Sequence, residues 1–163
     1  MICQLLKSLF SSHKEVTIVA KEEQIMVITI KDYLTASNSY PEREKHSGVN
    51  TANAERLVTA INAFLQEIGA KGPFRISSGF RPPEVNSKIA NAAKKSLHTQ
   101  CLAIDLLDDK NQSIAKLCAS KPDIMRKYGL FLEDPASTIG KNTNWCHLDL
   151  GLRADRPSRV FKP

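Results

Sequence analysis

His98 and Asp105 stand seven residues apart in SLHTQCLAIDLLD (residues 96–108), and His147 lies further on in WCHLDL (145–150). Two imidazoles and a carboxylate are the ligand set of a catalytic zinc site, whose fourth position stays open for water. A water held there, with its pKa lowered toward ~7, becomes a nucleophile at neutral pH. Asp105 is the conspicuous member, because it interrupts an apolar run of Leu102, Ile104, Leu106 and Leu107. A buried carboxylate without a partner is costly, so it must reach solvent or be held. Spacing alone also leaves two plainer readings open, a turn cap or an ion pair with Arg81.

These residues need elements to bring them together. FRISS (74–78), LAIDLL (102–107), LFLE (130–133) and WCHLDL (145–150) read as short strands. Alternation then sorts the side chains. Leu102, Ile104 and Leu106 point one way, and Ala103, Asp105 and Leu107 the other. In the last strand Cys146, Leu148 and Leu150 share the apolar face, while Trp145, His147 and Asp149 share the opposite one. If the two strands are neighbours, Asp105 and His147 converge, small Ala103 leaves room beside them, and His98 folds over from the approach. Cys146 points into the core and is not a ligand.

Around the strands, Leu57, Val58, Ile61, Phe64, Leu65 and Ile68 recur at helical spacing over 54–69, with Gly69 and Gly72 ending the run. VITI (27–30) is a short strand or the lead-in to a first helix, and the polar stretch 35–53 is a loop. PPEVNSKIANAAKKS reads as a helix entered through Pro82 and Pro83, and 111–128 as two short helices broken at Pro122. The expected fold is α+β, a small antiparallel sheet packed against helices. It forms one domain over 26–163, preceded by a weakly patterned segment, 1–25.

The chain has 163 residues, 42% apolar and 25% charged, with a mean hydropathy of −0.27. That suits one domain with a real core, and no apolar run approaches the ~20 residues of a membrane span. The formal charge is +6, which favours anionic partners. Nucleic acid is not the expected one, since no patch combines aromatic and basic residues. The N-terminal MICQLLKSLFSSHK is interrupted by Gln4, Lys7 and two serines, unlike a secretory signal. Cys3, Cys101, Cys118 and Cys146 form no CxxC pair and read as free thiols.

SSGFRPPEVN (77–86), SLHTQCLAID (96–105) and WCHLDLG (145–151) together resemble the zinc D-alanyl-D-alanine carboxypeptidase family. That family includes bacterial wall carboxypeptidases, vancomycin-resistance dipeptidases and phage endolysins. The resemblance spans about residues 27–163 and is closest to the short phage-encoded members. It implies zinc as the cofactor, held by His98, Asp105 and His147. It also implies that Arg81 binds substrate or its developing oxyanion, a task suited to a guanidinium that never loses its charge. Ser96 matches the small hydroxyl residue before the first ligand, placed to orient the histidine, to cap a helix or to meet substrate. Trp145, sharing a face with His147, is a further expected substrate contact.

Two positions depart from the pattern. Cys101 stands where the family usually has glycine, so the approach to Asp105 is expected to differ slightly. Asn144 occupies the position, three before the last histidine, where many members carry a catalytic carboxylate, and an amide cannot be a general base. Glu133 is the expected replacement, because GLFLED should form a hairpin with NWCHLDL across 134–143 and bring Glu133 beside His147. Asp134 is next in line, and Asp149 shares the face.

The implied reaction is metal-assisted hydrolysis of peptidoglycan stem peptides, as a D-Ala-D-Ala carboxypeptidase or an L-Ala–D-Glu endopeptidase, at a bacterial envelope or in a phage particle. The +6 charge would hold such a protein near an anionic wall, and the basic tail (Arg153, Arg156, Arg159, Lys162) would add to it. The competing expectation is a non-catalytic zinc module, since hedgehog signalling domains resemble this fold and hold zinc while acting as ligands.

Overall fold

A computed structural model describes residues 27–36, 49–90, 92–151 and 158–163. The segment 1–25, most of the polar loop, and Arg153 and Arg156 of the basic tail lie outside the described residues.

A five-stranded sheet organises the chain, in the order β1-β2-β4-β3-β5. Strand β1 is Ile76–Ser78, β2 Ala103–Asp108, β3 Phe131–Glu133, β4 Asn144–Asp149 and β5 Val160–Phe161. All neighbours are antiparallel except β5, which runs parallel to β3. Helices cover one face, so the architecture is α+β with a mostly antiparallel sheet. The hairpin between β3 and β4 forms as expected, whereas β5 was not anticipated.

Helix α1 (Ile30–Thr35) begins with a capping box, in which the Thr29 hydroxyl accepts from Asp32 N and the Asp32 carboxylate accepts from Thr29 N. VITI is thus the lead-in to a helix. Helix α2 is Thr51–Glu67, three residues longer at its start than the apolar repeat suggests. The reason is Asn50, whose side-chain oxygen accepts from Asn53 N at 3.0 Å and satisfies a helix-end donor. Gly69, at φ +68°, ends the run.

The expected helix after Pro82 is largely absent. Only α3, Pro83–Asn86, is helical, and the chain then turns, with Asn86 Nδ2 donating to the Ala93 carbonyl. KIANAAKK contains good helix formers but no continuous apolar stripe to pack, and propensity alone rarely holds a short helix. Helices α4 (Ser113–Ala119) and α5 (Pro122–Lys127) break at Pro122 as read.

Leu57, Ile61, Phe64 and Leu65 of α2 share a buried cluster with Ile104 and Leu106 of β2, Leu132 of β3, and Cys146 and Leu148 of β4. Each such aliphatic side chain contributes about 1.5–3 kcal/mol by leaving water. The core therefore takes one face of the sheet and leaves the other to Asp105, His147 and their neighbours.

Candidate metal centre

Register assembles the site. Asp105 pairs with His147 across β2 and β4, and Ala103 with Asp149. On the other side of β4, Phe131 pairs with Asp149 and Leu132 with Leu148, so the next step puts Glu133 level with His147. Glu133 in turn pairs with Phe161 of β5. Directly opposed residues point to the same face. One row across the sheet is thus Asp105, His147, Glu133 and Phe161, and the Phe161 ring meets the His147 ring edge-on at 6.2 Å.

His98 arrives from outside the sheet. Ser96 starts a 3-10 turn, Leu97–Gln100, its hydroxyl accepting from His98 N. Cys101 then adopts the left-handed conformation, φ 57° and ψ 33°, and the chain enters β2. This is where the family resemblance has glycine. Cys101 makes the same reversal at a conformational cost of roughly 1–2 kcal/mol, so the turn is kept and His98 folds back over Asp105. The seven-residue spacing reflects this course, a tight turn and a reversal followed by two residues per repeat along the strand.

The ring of His98 is fixed by Gly79. Its Nδ1 lies 2.8 Å from the Gly79 carbonyl, which can only accept, so Nδ1 carries the proton and Nε2 offers a lone pair. Gly79 itself is demanded by packing, because a Cβ there would lie 1.9 Å from the Tyr33 carbonyl oxygen of α1.

Asp105 gives one oxygen to each imidazole. Oδ2 is 3.3 Å from His98 Nε2 and Oδ1 is 2.6 Å from His147 Nδ1. Burial would raise the Asp105 pKa, but the two histidines outweigh it and hold the carboxyl well below its usual range. Burial is the largest influence on His98 and lowers its pKa, against Asp105, which acts to raise it. Burial also acts downward on His147, but the Asp105 hydrogen bond and charge, then those of Asp149, carry it up to about 10.

These residues fit a metal ion. His98 is 1% exposed and its Nε2 is buried without a hydrogen bond, facing a carboxylate oxygen that also brings a lone pair. Two such atoms are brought together stably by a cation between them. Their 3.3 Å separation is about the edge of a tetrahedron with the 2.0–2.1 Å bonds of zinc. One atom from each of His98, Asp105 and His147 lies within 4.8 Å of the others. Among the described residues no other such group of histidine, cysteine and carboxylate side chains occurs. Cys146 is fully buried on the core face.

Arg81 is tied to the same turn, with its backbone N bonded to the His98 carbonyl at 3.2 Å and Nη2 donating to Ser96 Oγ at 3.3 Å. The Ser96 hydroxyl therefore both caps the turn and holds Arg81. Trp145, half-buried, shares the face of His147 and packs near Gly140, where a Cβ would come within 3.2 Å of its ring.

The other carboxylates and Asn144 separate clearly. Asp134 caps the 3-10 turn Pro135–Ser137, accepting from Ala136 N at 3.0 Å. Asp149 is fully buried, with Oδ2 3.3 Å from His147 Nε2 and Oδ1 accepting from Gly151 N at 2.8 Å. Asn144, an odd number of residues from His147 on a regular strand, faces the other way, and its Nδ2 donates to the carbonyls of Asp109 and Lys110. It is a loop tie, remote from the row of site side chains. Phe161 and Gly79 were missed by sequence reasoning, although Gly79 lies inside SSGFR.

The model of one family, Peptidase M15, matches residues 33–149, a span that contains His98, Asp105, His147, Arg81, Glu133 and Asp149. No curated protein and no solved structure matches the chain.

Proposed function

The chain belongs to the peptidase M15 family, and on that premise we propose that it hydrolyses peptide bonds in peptidoglycan stem peptides, with Glu133 as its general base. M15 peptidases are zinc-dependent, and the residues that would hold the ion are His98, Asp105 and His147. The ion would supply the Lewis acidity that amide hydrolysis needs at neutral pH. The observation that carries the reading is the row of Asp105, His147 and Glu133 on adjacent strands, which puts a carboxylate outside the ligand set but next to it.

In this reading Glu133 takes a proton from the attacking water and returns it to the leaving amine. Arg81, steadied by Ser96, offers its guanidinium to the oxygen that gains negative charge. Trp145 forms a wall of the substrate cleft. The net positive charge favours an anionic wall, which supports a bacterial envelope or a phage particle as the setting of this reading.

Digestion of purified peptidoglycan by the zinc-loaded protein tests this. Release of D-alanine would identify a carboxypeptidase, and new amino termini within the stem an endopeptidase. Either activity should vanish in Glu133→Ala and His147→Ala and persist in Asp134→Ala. Bound zinc with no cleavage of any wall chemotype would instead favour a non-catalytic module.

A further inference from the structure

On the metal-site reading above, we propose that Asp149 is the positioning residue of His147, taking the Nε2–H of the ring so that Nδ1 is presented to Asp105 and the metal. Asp149 is not a spare general base. It is 0% exposed, lies between Ala103 and Phe131 in the sheet, and both its oxygens are engaged. Oδ1 accepts from Gly151 N at 2.8 Å, and Oδ2 lies 3.3 Å from His147 Nε2. A group so enclosed cannot exchange protons with a substrate amide.

Its geometry suits orientation. His147 is gripped from two sides, with Nδ1 2.6 Å from Asp105 Oδ1 and Nε2 facing Asp149. A carboxylate only accepts hydrogen bonds. Both carboxylates accept from a doubly protonated ring, and when a metal takes the place of the Nδ1 proton between the ring and Asp105, Asp149 holds the remaining proton on Nε2 and leaves Nδ1 for the ligand role. His98 obtains the converse arrangement from the Gly79 carbonyl at Nδ1, which leaves Nε2. The two imidazoles are thus locked in opposite senses, one by backbone and one by a buried charge. A carboxylate behind a ligating histidine also makes the ring a better donor to the metal. Side chains of this kind typically account for about 10–100-fold in metal affinity.

The test is Asp149→Asn, which preserves shape and an acceptor for Gly151 N but removes the charge. Zinc affinity, measured by competition with a chromophoric chelator, should fall about 10–100-fold. The visible spectrum of the cobalt-substituted protein should change with it. In the zinc-loaded wild type, long-range proton–nitrogen NMR should show His147 protonated at Nε2, a readout that does not depend on the variant folding. A folded Asp149→Asn with unchanged affinity and cobalt spectrum would overturn the proposal, as would a His147 that binds zinc through Nε2. If that occurs while wild type binds zinc and His98→Ala does not, only the role of Asp149 fails. A wild type that takes up no zinc would sink this proposal and the metal-site reading together.

Discussion

Glu133 stands level with His147 on the adjoining strand, one step beyond the Leu132–Leu148 pair. Asp134, its sequence neighbour, instead caps the next turn. The two acids should therefore respond differently. Glu133→Gln should lower kcat by at least about 100-fold, the usual worth of a positioned acid or base, while zinc content is unchanged. Asp134→Ala should leave kcat within a few-fold and cost about 1 kcal/mol of stability as a lost cap. Steady-state kinetics on a stem peptide and metal analysis check both.

His147, carried up to about 10 in the metal-free protein, holds a proton at pH 7 that a metal must displace. Zinc uptake should release about one proton from this ring, and apparent affinity should rise close to tenfold per pH unit between about 7 and 10. Calorimetry in buffers of different ionisation enthalpy measures the release. A binding constant that is flat over this range would contradict it.

The same ring gives the metal-free protein a stability that depends on pH. Its folded pKa lies above the unfolded value near 6.5, so its contribution is fully present below ~6.5 and is lost as pH rises through about 10. Thermal melting of chelator-treated protein should fall across that window. The fall should be smaller in His147→Gln, and the difference between the two isolates this group.

Gly79→Ala should be among the most damaging small substitutions. The added methyl would come within 1.9 Å of the Tyr33 carbonyl, and rigid backbone cannot yield as a flexible side chain can. A loss of about 3 kcal/mol or more is expected, at the upper end of overpacking. Zinc affinity should weaken too, because the Gly79 carbonyl orients His98. Urea denaturation and chelator competition provide the two measurements.

Cys101→Gly should be tolerated within about 1 kcal/mol, since relief of the left-handed backbone offsets loss of a small buried thiol. Cys101→Val, with a branched carbon at a positive φ, should cost more than about 2 kcal/mol. Equal urea midpoints for the two variants would show that the turn does not depend on this conformation.

Much of the site was legible because alternation records which way a strand residue faces. Ile104 and Leu106 on one side and Asp105 on the other, with Cys146 and Leu148 opposed to His147, are enough to put core and chemistry on opposite faces of two strands. The sheet and the family followed from that pattern and three motifs. The start of α2 was not legible in its apolar repeat, because Asn50 and Thr51 carry capping information and no hydrophobicity. β5 was invisible, since Val160 and Phe161 are too few to show a period and belong to the sheet only through pairing with β3. The full helix expected after Pro82 follows propensity alone, and KIANAAKK carries helix formers without the apolar stripe that would hold them in place. Asn144 stands where the resemblance leads one to expect a carboxylate, and on β4 its side chain donates to the carbonyls of Asp109 and Lys110, a contact that spacing does not reveal.

The sheet's two faces bear different burdens, and β4 interleaves them residue by residue. Cys146 and Leu148 can be exchanged for other apolar side chains of similar volume at little cost to the reaction. His147, one residue away from each, admits no such exchange. A saturation scan of this strand should therefore oscillate with a period of two in its tolerance, separating variants that lose abundance from variants that stay abundant and inert. A chain built this way can alter its substrate preference at Trp145, beside a fixed His147, while the alternate positions that keep it folded stay as they are.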